Sequence, residues 1–201
     1  MLADAVHLGL ALGLRHASDA DHICAVASLL RTGQSRSHAL RTAAWWGLGH
    51  SMSFFSVGVL LLALDLQVPP VLEEIVGVCI AVLLVMLGVE QWRHAACVEH
   101  PVAGPRRSLT SLAIGALHGL AGSAGVSLLA LTSMRDRGAA LGFLVLFGVG
   151  TVAGMLLVTL ALSWPLRLTH RLTHRWRTGV LRVAASGSIA LGLWLLVSPH
   201  L

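Results

Sequence analysis

Charged residues are scarce in this chain, and lysine is missing altogether. Only 11% of the 201 residues are charged and 56% are apolar, and all 14 basic residues are arginines. A soluble globular domain carries about 25% charged residues, and no stretch between the apolar runs is long enough to bury a core of its own. We therefore predict a single all-α integral membrane domain over residues 1–201. The net charge of +5 is modest and comes from arginines between apolar segments, so it indicates membrane topology and not a nucleic-acid partner.

The residues of several enzyme classes are also missing. Cys24, Cys79 and Cys97 are far apart and form no CxxC pair, so the paired intramembrane cysteines of a thiol oxidoreductase are not found. The chain contains neither the H-E-x-x-H motif of a metalloprotease nor a GxxxxGK[ST] nucleotide-binding motif. We therefore predict that the protein is not an enzyme, that it has no prosthetic group, and that any ATP dependence comes from another chain. Its first residues lack the basic region and cleavage site of a signal peptide.

What the sequence does contain is a series of long apolar segments. A membrane-spanning helix needs about 20 mostly apolar residues, and no run of short alternating segments suggests a barrel. The first segment is unusual because it carries a cluster of charged residues, and the fourth because it contains the string "HGLAGSAG". The predicted spans cover residues 2–30, 43–64, 71–92, 109–132, 139–163 and 180–198.

The arginines predict how these spans are oriented. Arginines are concentrated in the segments after spans one, three and five, whereas the opposite side has only Arg135 and Arg137, beside Asp136. Because basic residues favour the cytoplasmic side, we predict a multi-pass protein of a bacterial-type cytoplasmic (inner) membrane with both termini outside. The predicted cytoplasmic arginines are Arg31, Arg36, Arg41, Arg93, Arg106, Arg107, Arg167, Arg171, Arg175, Arg177 and Arg182.

The two halves of the chain are weakly similar. "LALGLRH" at 10–16 matches "LAIGALH" at 112–118, and "WGLGH" at 46–50 matches "FGVGT" at 147–151. With three spans in each half, the second half enters the membrane in the opposite sense. We therefore predict six transmembrane helices as two inverted three-helix repeats, about 1–93 and 108–201. In transporters with this architecture the substrate site lies near the midplane, where the repeats meet.

Ionisable residues within the predicted spans indicate a binding site. The stretch "LRHASDADHI", residues 14–23, holds two histidines and two aspartates, and His50 and His118 lie in later spans. Such groups are costly inside a membrane and usually mark a pathway or binding site. Imidazole nitrogen with carboxylate oxygen suits nickel, cobalt, zinc or ferrous iron, whereas magnesium and calcium prefer oxygen alone. The alternative for each histidine is a packing residue that is hydrogen-bonded to backbone.

Helical geometry restricts which of these groups can act together. On a straight helix His16, Asp19 and His22 share one face, but Asp21 points about 140° away from His16. Arg15 and Asp19 are four residues apart, so we expect Arg15 to neutralise Asp19, and this favours Asp21 over Asp19 as a ligand. For His16, Asp21 and His22 to face one ion, the first span must be broken, unwound or bent between residues 16 and 22.

These residues resemble the motifs of the nickel/cobalt transporter superfamily, the NiCoT and NicO permeases. "RHASDADHI", residues 15–23, is similar to the family's H-x(4)-D-H helix, "LGHSMSFF", residues 48–55, resembles its second motif, and "HGLAGSAG", residues 118–125, resembles that of the shorter UreH-like branch. The longer permeases have an extra helix before the first motif, and an acidic motif where this chain has "HGLAGSAG". The resemblance implies transport of Ni(II) or Co(II), with His16, Asp21 and His22 as the central site.

The direction of transport is a separate question. Exporters of this superfamily tend to carry a long histidine-rich cytoplasmic segment, but residues 93–108 contain only His94 and His100, so uptake is the first hypothesis. The alternatives are a metal efflux permease of the same superfamily, or a membrane subunit of a larger metal transporter. The partners we expect are therefore a transition-metal ion and the lipid bilayer, with homo-oligomers and partner subunits left open. The candidate metal residues are His16, Asp19, Asp21, His22, His50 and His118.

Overall fold

The described part of the chain is entirely helical. The computed structural model describes residues 2–30, 35–66, 70–95, 105–120, 134, 136–168 and 174–198, and within these ranges it has seven α-helices and no strand. The prediction of an all-α chain is confirmed for these residues. The helices are α1 (Leu2–His16), α2 (Ala20–Leu29), α3 (Arg36–Leu64), α4 (Pro70–His94), α5 (Pro105–Gly119), α6 (Arg137–Leu168) and α7 (His174–Val197).

Four of these helices are long and apolar enough to cross a membrane. They correspond to the second, third, fifth and sixth predicted spans. Much of their apolar surface is not covered by protein: Met86 on α4 is 64% exposed and Val183 on α7 is 73% exposed. Large exposed apolar surfaces on long helices are expected where lipid is the solvent. The four spanning segments are Arg36–Leu64, Glu74–His94, Arg137–Trp164 and Arg175–Val197.

The first predicted span is broken. Helix α1 ends at His16 and α2 begins at Ala20, so the prediction of a break between residues 16 and 22 is confirmed. The connecting turn is closed by its own hydrogen bonds: the Ser18 backbone N–H donates to the Arg15 carbonyl at 2.9 Å, and the Ser18 hydroxyl donates to the same oxygen at 2.6 Å. The break therefore does not leave these backbone groups unpaired.

The fourth predicted span is described only over its first part. Helix α5 ends at Gly119, just after His118, and the remaining residues of that prediction, 121–132, lie outside the described residues. Within the predicted repeats, His118 of α5 corresponds to His16 of α1. Helix α1 therefore ends at its histidine, and α5 ends one residue after the corresponding histidine.

The helices pack in three close pairs, α1 with α6, α3 with α5, and α4 with α7. Glycines make this close approach feasible, because a Cβ added at Gly13 would overlap the Phe147 carbonyl oxygen on α6, and one added at Gly115 would overlap the Trp46 carbonyl oxygen on α3. At the third pair, a Cβ at Gly88 would lie 2.8 Å from the Ala185 carbonyl oxygen. Small residues at helix contacts are typical of membrane proteins, because a glycine has no side chain to keep the two helix backbones apart.

The buried core lies between these pairs. One cluster joins α2, α3, α4 and α6 around Trp46, Leu84 and Met155, and a second joins α3 and α6 around Phe54, Phe143 and Phe147. The first cluster holds the break between α1 and α2 against α3 and α6, since it contains Ala17 of the connecting turn together with Trp46 and Met155. The broken segment is therefore fixed in the interior of the helix bundle.

Candidate metal centre

Four histidines from four helices meet inside the bundle. His16 ends α1, His22 lies in the first turn of α2, His50 is in the middle of α3, and His118 lies near the end of α5. All are buried, with His16 4% exposed and the other three 0% exposed. The His22 ring is central, with its centroid 4.5 Å from that of His16, 5.2 Å from that of His50 and 4.5 Å from that of His118.

Two overlapping groups of side chains have the spacing of metal ligands. In one, His16, His22 and His50 each offer a ligand atom, and these atoms lie within 4.8 Å of one another. In the other, the ligand atoms of Asp21, His22 and His118 lie equally close together. His22 belongs to both groups. Three nitrogens, or two nitrogens and a carboxylate oxygen, are ligand sets that suit first-row transition metals.

Both aspartates contact histidines of this cluster. An Asp19 carboxylate oxygen lies 3.1 Å from Nδ1 of His16. The Asp21 carboxylate bridges two rings, with Oδ1 3.2 Å from Nδ1 of His22 and Oδ2 3.0 Å from Nε2 of His118. Two ionised carboxylates carry the negative charge that a divalent cation requires when it leaves water.

The remaining ring nitrogens point into the cluster or lack a partner. Nε2 of His16 and Nε2 of His50 lie 3.1 Å apart. Nε2 of His22, Nδ1 of His50 and Nδ1 of His118 are buried, and the described part of the protein provides no hydrogen-bond partner for them. Because buried polar atoms are normally satisfied, several unpaired imidazole nitrogens in one place fit a site whose ligand is a cation.

Aromatic side chains enclose the cluster. The Trp46 ring lies 5.5 Å from the His22 ring and 5.7 Å from the His118 ring, and the Phe147 ring lies 5.4 Å from the His16 ring. Both aromatic side chains are fully buried. They exclude water from the imidazoles on two sides, so an ion bound here exchanges most of its hydration shell for protein ligands.

All six residues chosen from the sequence lie in this one region, but the predicted role of Arg15 was wrong. Asp19 pairs with His16 and not with Arg15. The reason is the helix break: Arg15 and Asp19 are not successive positions on one helix face, because α1 ends between them. Trp46 and Phe147 were not predicted as walls of the site. The signal available for them was their matching positions in the two similar stretches of the repeats.

Known proteins share sequence similarity with this chain. A family model described as NicO, high-affinity nickel-transport protein, matches residues 3–92, which include His16, Asp21, His22 and His50. The chain is 28% identical over 178 residues to the urease accessory protein UreH of Bacillus sp. (strain TB-90), covering 82% of this chain and 78% of that protein. No solved structure matches the chain.

A second relative is more distant. The chain is 26% identical over 203 residues to the chloroplast protein FOR GROWTH AND FERTILITY 1 of Arabidopsis thaliana, and the match covers 90% of this chain but 55% of that protein. The chain therefore spans about half the length of this plant relative. The motifs around His16, Asp21, His22 and His50, the family model and the UreH relative agree with one another. The family match and the UreH relative therefore support the resemblance of the chain to the nickel/cobalt transporter superfamily and to its shorter UreH-like branch.

Proposed function

We propose that this protein is a permease that carries Ni(II) or Co(II) across the membrane through the buried His/Asp cluster. The observation that carries the proposal is the meeting of His16, His22 and His50 within 4.8 Å of one another in the interior of the bundle. Asp21 and His118 extend the cluster on one side, and Asp19 extends it on the other. Because four buried histidines beside two aspartates are costly inside a membrane, a role in ion passage explains their presence better than packing does.

The chemistry of the cluster favours nickel or cobalt over the common alkaline-earth ions. Four imidazoles make the site rich in nitrogen, while magnesium and calcium select oxygen ligands. The family model, whose description is a nickel-transport protein, supports the same ion class. The transported ion is thus the substrate, and the permease function requires no resident prosthetic group.

Uptake is the direction that we propose. The segment 93–108 contains only two histidines, His94 and His100, which is unlike the long histidine-rich segment of the exporters in this superfamily. The metal content of cells that express the protein, described below, distinguishes uptake from efflux.

We also propose that the domain, residues 1–201, consists of two inverted three-helix repeats, about 1–93 and 108–201. The helix contacts support this because they recur in equivalent positions. An added Cβ at Gly150 would approach Leu10 and Leu14 of α1, and one at Gly49 would approach Leu112 and Ala116 of α5. Gly49 and Gly150 are equivalent in the similar stretches of the two halves, as are Leu10 and Leu112.

The third helices of the two halves, α4 and α7, also make contacts that recur in both halves. An added Cβ at Gly88 on α4 would approach Ala185 and Ile189, and one at Gly192 on α7 would approach Ala81 and Val85. Each first helix thus packs on the second helix of the other half, and the two third helices pack on each other. This reciprocal pattern is what a two-fold relation between repeats requires.

The proposed setting is a cytoplasmic (inner) membrane with both termini outside. The arginines between the first and second, third and fourth, and fifth and sixth spans support it through the positive-inside rule. A reporter that is active only in the cytoplasm, fused after Leu201, is expected to be inactive, while the same reporter inserted between residues 96 and 104 is expected to be active. Activity of the C-terminal fusion would overturn this orientation.

The function is tested by the metal content of cells that express the protein. Cells with the wild-type chain are expected to accumulate more nickel or cobalt than cells with an empty vector, and His22→Ala is expected to abolish the gain. His7→Ala is the matched control, since His7 is an exposed histidine of α1. Lower metal content with the wild type, together with metal resistance, would reverse the direction to efflux. Equal metal content in all strains would overturn the function.

A further inference from the structure

The hydrogen bonds between the aspartates and the histidines fix where the hydrogens of the imidazole rings lie. An ionised carboxylate can only accept hydrogen bonds, and a neutral imidazole has one N–H donor and one acceptor nitrogen. His16 therefore donates from Nδ1 to Asp19 at 3.1 Å, and His22 donates from Nδ1 to Asp21 at 3.2 Å. Both rings are left with a lone pair on Nε2.

The group formed by His16, His22 and His50 takes one nitrogen from each ring, and Nε2 is the nitrogen that the aspartates leave available on His16 and His22. Nε2 of His16 lies 3.1 Å from Nε2 of His50, and Nε2 of His22 is buried without a partner among the described residues. The carboxylates hold the rings from behind, in the same way that second-shell carboxylates orient metal-bound histidines in other proteins. The pairs His16–Asp19 and His22–Asp21 thus each leave Nε2 of the histidine available to an ion.

The third ring lacks such a carboxylate among the described residues. Without an ion, Nε2–H of His50 donates to Nε2 of His16, since the hydrogen of His16 is held by Asp19. When an ion binds, the His50 hydrogen moves to Nδ1, which is buried without a partner among the described residues. His50 is the ring whose tautomer changes on binding, and the hydrogen count of the site stays the same.

The group of Asp21, His22 and His118 is, by the same reasoning, less suited to an ion in this arrangement. Each oxygen of Asp21 accepts one hydrogen bond, Oδ1 from Nδ1–H of His22 and Oδ2 from Nε2–H of His118. A cation bound among these atoms would meet two N–H groups, and both hydrogens would have to be displaced first. His118 acts instead on Asp21, by holding the carboxylate in position behind His22.

On these grounds, and resting on the function proposed above, we propose that the transported ion binds to three histidine nitrogens, Nε2 of His16, His22 and His50. Asp19 and Asp21 are positioning residues that fix the ring tautomers and supply charge without contacting the ion. This assignment gives the site three nitrogen donors and no oxygen donor from Asp21, which sharpens its preference for borderline ions such as Ni(II) and Co(II) over oxygen-seeking ions.

The test is X-ray absorption spectroscopy of the purified full-length protein loaded with nickel, in which scattering from the outer ring atoms counts the bound imidazoles. Three imidazoles are expected for the wild type and for His118→Ala, and two for His50→Ala. If His50→Ala does not fold, the wild type and His118→Ala still decide. A count of two in the wild type, or a drop in His118→Ala, would overturn the assignment in favour of the group with Asp21.

The aspartate variants give a second readout. Asp19→Asn keeps an oxygen that accepts from Nδ1 of His16, whereas Asp19→Leu removes it. We expect both to retain three bound imidazoles at saturating nickel, with affinity about 10- to 100-fold weaker in the leucine variant and partly rescued in the asparagine variant. Equal affinity in Asp19→Leu and wild type would refute the positioning role. If the wild type neither binds nor transports nickel or cobalt, it is the proposed function that fails, so the two failures are distinguishable.

Discussion

The close contact between α3 and α5 predicts that one added methyl group disables the site. A Cβ at Gly115 would overlap the Trp46 carbonyl oxygen and would lie 2.8 Å from both the carbonyl carbon and Cδ1 of Trp46. Ordinary contact begins near 3.4 Å, so the two helices must separate by at least about 0.6 Å in Gly115→Ala. Helix α3 carries His50 and α5 carries His118, and binding constellations tolerate displacements of only about 0.5 Å.

The expected result has a stability part and a transport part. Overpacking of this kind costs about 1–3 kcal/mol, which lowers the Tm by about 3 °C or more. We expect the initial rate of nickel transport to fall at least about tenfold, because the ligand groups no longer converge. The assay is nickel accumulation in cells, normalised to the protein in the membrane, with thermal denaturation in detergent alongside.

Gly77→Ala on α4 is the matched control, since an added Cβ there has nothing within 4 Å. It makes the same chemical change on an open helix surface and is expected to leave transport unchanged and Tm equal or slightly higher, because alanine favours a helix more than glycine does. If Gly115→Ala were indistinguishable from Gly77→Ala in both measurements, the argument from helix spacing to site geometry would be refuted.

Three further predictions concern packing and ion choice. Ser188→Ala removes the buried 2.9 Å hydrogen bond from α7 to the Leu84 carbonyl and should lower the free energy of unfolding by about 0.6–1.5 kcal/mol. The Ser186 hydroxyl bonds within its own helix, so Ser186→Ala should change almost nothing in the same thermal denaturation in detergent. Phe143→Ala empties a fully buried position and should lower the free energy of unfolding by about 3–5 kcal/mol. Val145→Ala changes a side chain that is 51% exposed and should have little effect, so equal Tm values for the two variants would contradict the assigned core. Excess Co(II) should reduce nickel accumulation and excess Mg(II) should not; competition by magnesium would argue for an oxygen-rich site.

Much of this arrangement was predictable because the sequence carries strong local signals. Apolar segments of about 20 residues indicate spans independently of tertiary structure, and the four longest helices match them. The break after His16 was predictable because His16, Asp21 and His22 cannot face one ion from a straight helix.

The partners of the aspartates were not predictable in the same way. Spacing alone suggested that Arg15 neutralises Asp19, but that argument assumes a continuous helix, and the break places the Asp19 carboxylate on His16 instead. The contact between Asp21 and His118 joins residues 97 positions apart. It depends on how α5 packs against α3, and no local pattern encodes that distance. The tautomers of the imidazole rings follow only when such contacts are known.

The most direct test of the central claim is nickel transport by the purified protein in liposomes. With nickel outside, vesicles that contain the wild-type chain are expected to accumulate the ion faster than protein-free vesicles, in both orientations of insertion. Vesicles with His22→Ala are expected to match the protein-free background, because His22 belongs to both ligand groups, and vesicles with His7→Ala are expected to match the wild type. Accumulation by His22→Ala at the wild-type rate, or none by the wild type, would contradict passage of the ion through the histidine cluster.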